Sequence, residues 1–165
     1  MAEETFEDVF RRLLPRALRV ARRILGDETQ AEDAAAEALA RAHASWSKVG
    51  RTPYLDAWIL RVTANVAVDM GRRRARTFSA GLDLAGAIGP DENIERDAEV
   101  THIALVVALA ALPRRQRDVI VLRYLEGLSE EDVAQALGVS LGTVKKNGFR
   151  ARETLRKRLG TDFSI

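Results

Sequence analysis

The 165-residue chain has no cysteine, which excludes a disulfide framework and a thiolate zinc site. Its two histidines, His43 and His102, lie far apart without a metal-type spacing, so no metal site is expected. Aromatic residues make up only 5% of the chain. There is no Asn-Gly hairpin between alternating runs and no Gly-rich parallel-strand pattern, so strands are not expected. No apolar run approaches the roughly 20 residues that cross a bilayer. The acidic start MAEETFEDVF is not a signal peptide. A cytoplasmic protein is the plain reading. No nucleophile–base pair, phosphate loop or metal set is visible, so neither enzymatic activity nor a cofactor is expected.

What the chain does have is helix-forming residues. It is 47% hydrophobic, dominated by Ala and Leu. Net charge is only +2, but the charge is segregated along the chain, so the total understates the basic surface.

The most informative stretch is 129–158, SEEDVAQALGVSLGTVKKNGFRARETLRKR. Ser129 can cap a helix whose first turn carries Glu130, Glu131 and Asp132. Val133, Ala136 and Leu137 share a face, and Gly138 suits a left-handed stop. Val139 can plug the turn, and Ser140 caps a second helix with an apolar stripe of Val144, Ala151 and Leu155. Thr143, Lys146 and Arg150 point away from that stripe, with Asn147 at its edge. This is the layout of a helix-turn-helix whose second helix enters a major groove. From 140 to 160 there are seven basic residues, Lys145, Lys146, Arg150, Arg152, Arg156, Lys157 and Arg158, against the single acid Glu153. A basic face joined to that motif points to nucleic acid.

Ahead of it the pattern is helical in two halves. A first helix is predicted from about Thr5 to Leu25, kinked or split at Pro15 and stopped at Gly26. A second opens at Thr29, with Glu32 completing a capping box, and runs to about Trp46. Its first half carries Glu32, Asp33 and Glu37 with no base before Arg41, a surface for a basic protein partner. A third is capped by Thr52, starts at Pro53 and runs to about Arg74. Leu55, Trp58, Ile59, Val62, Val66 and Met70 face inward; Arg61, Asn65 and Arg72 lie on the other side. The helix leads into Arg72, Arg73, Arg74 and Arg76, suited to phosphates and unstacked bases. Residues 77–92, with Gly81, Gly86, Gly89 and Pro90, read as a flexible linker. A helix ending at Leu112 follows. Pro113 breaks it and opens another, which carries Arg114, Arg115 and Arg117 and ends at Gly127. The tail, 161–165, is expected to fray. The fold class is therefore all-α: two small helical domains, 1–76 and 93–160, joined by a flexible linker, the second a helix-turn-helix.

At this point a family resemblance is specific. LPRRQRDVIVLRYLEGLSEEDVAQALGVSLGTVKKNGFRAR looks like the C-terminal promoter-binding domain of bacterial RNA polymerase sigma factors. AEDAAAEALARA followed by AWILRVTANVAVDMGRRR resembles their N-terminal conserved domain. Linker and length match the small extracytoplasmic-function (ECF) type. The resemblance implies transcription initiation as the function, with polymerase core, promoter DNA and an anti-sigma factor as partners. Asp33 and Glu37 sit where the family contacts the clamp helices of the β′ subunit. Arg61 and Asn65, with Arg72, Arg73 and Arg74, would meet the −10 element. Thr143, Lys145, Lys146, Asn147, Phe149 and Arg150 would read the −35 element. Arg114, Arg115 and Arg117 would contact phosphates or the β flap. Three positions depart from the family pattern: Ala36 in place of Gln, Asn147 in place of Arg, and Gly148 in place of a bulky aliphatic. Gly148 is expected to leave a gap in the buried stripe and soften the recognition helix. Those departures support a second reading, a sigma-like protein that titrates polymerase or an anti-sigma factor. A third, a dimeric helix-turn-helix repressor, is opposed by the N-terminal half.

Overall fold

Thr5 accepts a hydrogen bond from Asp8 N and Asp8 answers it, a reciprocal cap that launches α1 (Phe6–Leu25). In this computed structural model, which describes residues 4–82 and 92–160, α1 is one unbroken helix despite Pro15. Pro15 is exposed, so the carbonyl that loses its partner one turn back can turn to water. Gly26, at φ 68°, ends the helix in the left-handed region.

The second helix, α2 (Glu28–Ala44), is capped by Asp27, whose carboxylate accepts from Gln30 N at 2.8 Å. The capping box expected at Thr29 is not used, because the carboxylate two residues earlier reaches the free N–H groups first. Ala31, Ala34, Ala35, Ala38 and Ala42 form its buried face, and such short side chains let neighbouring helices approach closely. A short α3 (Trp46–Val49) and a turn lead into α4 (Leu55–Leu82). Thr52 does not cap α4: its hydroxyl donates to the Val49 carbonyl at 2.8 Å. At its other end α4 runs to Leu82, well past Arg74, into what the sequence suggests is linker. The rest of that stretch, 83–91, and the tail, 161–165, lie outside the described residues.

The C-terminal half comprises α5 (Glu92–Ala111), α6 (Arg114–Ile120), a π-helical turn (Val121–Leu125), α7 (Glu130–Leu137) and α8 (Leu141–Leu159). Every described element is helical or a turn, in two helical units as the periodicity predicts. The helix-turn-helix is built by the expected caps. Ser129 accepts from Asp132 N, Gly138 takes φ 62°, and Ser140 accepts from Thr143 N.

The two halves share a core. Val20, Ala21, Ile24, Leu60, Ala64, Ala67 and Val68 are buried in one cluster with Val106, Leu109, Leu112, Ile120, Val121, Ala151 and Leu155. Ala57 joins a second cluster with Val119, Leu122, Val133, Leu137 and Val144. A third, Val9, Leu13, Leu39, Ala42, Leu55 and Ile59, belongs to the N-terminal half. So α4 is buried on two faces. One meets α1 and α2; the other, lined by Ala57, Ala64, Gly71 and Ala75, meets the C-terminal half. At Gly71 a Cβ would lie 2.6 Å from Val106 Cγ2, so the α4–α5 approach depends on glycine there.

Candidate nucleic-acid and polymerase interfaces

On α8 the residues marked for DNA stand clear of the core. Val144, Gly148, Ala151 and Leu155 are buried, which turns Lys145, Lys146, Phe149 and Arg150 outward. Phe149 is 60% exposed, an apolar side chain held in water beside three cations. Thr143 and Asn147 are half-buried, and the Asn147 amide donates back to the Thr143 carbonyl at 3.0 Å. Lys145 lies 3.9 Å from Glu130 and 60% exposed, a weak tie that leaves it available to an anion. The gap expected at Gly148 is absent: a Cβ there would sit 3.5 Å from Val119 Cγ1, an ordinary contact. Glycine at this position allows α6 and α8 to approach closely.

The acidic face of α2 is open. Glu32, Asp33, Ala36 and Glu37 are all exposed, opposite the alanine face that packs on α1 and α4. Glu37 holds Arg41 at 2.8 Å, so one cation moderates this strip.

The −10 candidates divide. Arg72 and Arg73 are exposed. With Ala75, Arg76 and Ser79, Arg72 lines an open groove of about 530 Å³ completed by Val107, Ala110, Ala111 and Arg158. Arg74 is not free. It is held at 2.8 Å by Glu99 on α5 and at 3.6 Å by Asp27, because its position turns it toward the α4–α5 seam. Arg61 and Asn65 do not face solvent, contrary to the sequence expectation; they lie beneath α6. The Arg61 guanidinium is 2.8 Å from the Asp118 carboxylate, with their side chains 19% and 2% exposed. Asn65 Oδ1 accepts from Arg117 at 3.1 Å.

Arg117 is likewise diverted from a phosphate-contact role. Its guanidinium donates to the carbonyls of Leu109, Ala110 and Leu112, capping the end of α5. Burial pushes its pKa below the ordinary arginine value, with Asp69 and Asp118 acting in the opposite sense. Arg114 and Arg115 are exposed, with Arg115 making a long 3.4 Å contact to the Leu137 carbonyl.

Several residues here escaped the sequence reading. Tyr54, 37% exposed at the mouth of α4, offers a ring on which an unstacked base can lie. Its signal was a lone aromatic between Pro53 and the helix. Asp118 and Glu126 are buried acids in an otherwise apolar run. Glu126, its side chain 1% exposed, binds Arg16, which also holds Asp56 at 2.9 Å. Arg12 shares Asp56, and that hydrogen bond, with a second from Glu4, raises the Arg12 pKa further above the ordinary arginine value.

Comparison with known proteins completes the picture. Residues 9–77 match the family described as Sigma-70 region 2, and 102–155 match Sigma-70, region 4. An RNA polymerase sigma-E factor of Streptomyces avermitilis is 34% identical over 154 residues, 93% of this chain and 84% of the relative. The ECF RNA polymerase sigma factor SigW of Bacillus subtilis is 28% identical over 168 residues, 95% of this chain and 90% of the relative. A solved structure of the sigma factor RpoE from Bartonella quintana, in complex with the anti-sigma factor NepR, is 27% identical. It covers 96% of this chain and 98% of that one, with a TM-score of 0.52. With region 2 and region 4 in this order on one short helical chain, the protein belongs to the sigma-70 family of RNA polymerase sigma factors, and within it to the extracytoplasmic-function type.

Proposed function

We propose that this chain lends promoter specificity to RNA polymerase through three separate surfaces. The observation that carries the reading is the capped helix-turn-helix with Lys145, Lys146, Phe149 and Arg150 turned to solvent on one face. The N-terminus of α8 lies in the major groove of the −35 element, where Lys146 and Arg150 meet base edges or phosphates and Phe149 an apolar base edge. The exposed acids Asp33 and Glu37 on α2 meet basic residues of the polymerase clamp. The loop before α4, with Tyr54, Arg61, Asn65, Arg72 and Arg73, holds the opened −10 strand.

The working domains are 1–76 and 93–160, with 77–92 between them and a tail at 161–165; since α4 continues to Leu82, the first extends past 76. The protein acts as a non-catalytic cytoplasmic binding factor without a cofactor, and an anti-sigma factor is a natural further partner. No helix among the described residues is long and apolar enough to cross a membrane. The packed environment of Gly148 weakens the alternative of a factor with a damaged recognition helix. Run-off transcription with core polymerase and a genomic promoter library tests the function. Selective transcripts that depend on this chain are expected; core binding with no selective transcript would favour the titrating role instead.

A further inference from the structure

We propose that the free chain holds itself shut, with α6 and the π turn docked on the Arg61–Asn65 face so that Asp118 occupies the place of a DNA phosphate. This rests on the reading of Arg61 and Asn65 as −10 contacts. Closure and engagement of an opened strand are then mutually exclusive, and polymerase must separate the halves before the promoter can open.

Four polar contacts tie the C-terminal half to the N-terminal one around this face. They are Arg61–Asp118 at 2.8 Å, Arg117 to Asn65 Oδ1 at 3.1 Å, Arg16–Glu126 at 3.0 Å and Arg23 to the Leu125 carbonyl at 2.8 Å. Two of them pair an N-terminal arginine with an acid of the C-terminal half that is 2% exposed or less. A carboxylate and a phosphate oxygen are alike to a guanidinium, so Asp118 competes for the chemistry that DNA would use. Beneath the polar contacts, Ala57 and Leu60 of α4 pack with Val119, Leu122 and Ile120.

The closed state is poised rather than locked. Asp118 and Arg61 make a close charge pair but not an aligned hydrogen bond, and Asp118 Oδ2 and Arg61 Nε have no hydrogen-bond partner. Glu126 Oε1 is buried without a partner as well. Each unsatisfied atom would regain water on opening, which offsets part of the lost contact. A latch of two half-satisfied acids releases more readily than a fully bonded one.

The absence of cysteine makes the test direct. Arg19→Cys and Gln135→Cys, both exposed, place a fluorescent pair on the two halves of the full chain. Asp118→Arg sets like charges against each other and should lower energy transfer; Arg61→Asp with Asp118→Arg should restore it. In the same free chain, Asp118→Arg should bind a labelled single-stranded DNA pool of randomised sequence about tenfold more tightly, if the open form is about one molecule in ten. Circular dichroism separates opening from unfolding. If Asp118→Arg loses helical signal, Glu126→Gln carries the same test with a neutral isostere. Wild-type transfer in both variants, or opening with no gain in DNA affinity, would overturn the latch. Promoter melting by holoenzyme carrying Arg61→Ala reports on the −10 assignment by itself. Normal melting there would overturn both ideas, whereas unchanged transfer in Asp118→Arg removes the latch and leaves the −10 face standing.

Discussion

On α8, Lys145, Lys146, Phe149 and Arg150 stand in solvent; on α4, Arg61 and Asn65 lie under α6. Both sets occupy the side of a helix away from its large apolar residues. The difference lies in what surrounds them. The α8 stripe is narrow, and the opposite face carries long cations that nothing packs against. On α4, the side bearing Arg61 and Asn65 also carries Ala57, Ala64, Gly71 and Ala75. These small residues make a second packing surface that is flat enough for two helices to lie on. A polar residue set among alanines is thus a different signal from a polar residue set among cations.

The comparison can be broken from the buried side first. Leu60 is fully buried where the halves meet, so Leu60→Ala should destabilise the chain by about 2–5 kcal/mol. Thermal or urea unfolding measures this, and a loss below about 1 kcal/mol would mean that the shared core contributes little. Next, Gly148 sharpens the α8 side. Leucine there must push into Val119 and should cost about 1–3 kcal/mol, whereas alanine fits in ordinary contact and should gain about 0.5–1 kcal/mol. Melting temperatures of the two variants should therefore move in opposite directions. Third, Glu37→Lys changes an exposed charge on α2 and should weaken core-polymerase binding about tenfold, or 1.4 kcal/mol, with stability hardly altered. Unchanged core affinity would remove Glu37 from that interface. The smallest effect on folding belongs to Lys146→Ala, within about 0.5 kcal/mol. Its signature is electrostatic: the salt dependence of −35 binding should flatten by about one unit of slope if Lys146 contacts a phosphate.

The helix-turn-helix was legible in the sequence because its signals are local. Ser129, Gly138 and Ser140 each act within one turn, and the three fix where α7 and α8 begin and end. Pro113 and Gly127 likewise mark ends by backbone constraint alone. Legibility failed where neighbours compete. Asp27 and Thr29 both suit a cap, and the sequence does not rank them. Pro15 carries the same helix-breaking chemistry on any helix, yet an exposed position makes it tolerable. The candidate site was harder still. Arg74 and Arg117 have the residue type that DNA contact asks for, but Glu99 and the α5 carbonyls claim them across 25 residues and 5–8 residues respectively. No periodicity distinguishes an arginine held by its own chain from one left for a phosphate.

The π turn from Val121 to Leu125 carries a genetic consequence. Its Glu126 N–H reaches back five residues to the Val121 carbonyl, so the turn holds one residue more than an α-helical turn would. That extra residue changes the direction of everything after it, and in consecutive positions Val121 serves the shared cluster while Leu122 serves the helix-turn-helix. A missense change here exchanges one apolar shape for another and leaves those directions intact. Loss of a single codon would draw the turn back to α pitch and swing Glu126 and Gly127 by about 100°, one residue's worth of helical rotation. Arg16 would then lose its acid, and the helix-turn-helix would set off at a new angle. Along this segment, the reading frame's length is under tighter constraint than its spelling.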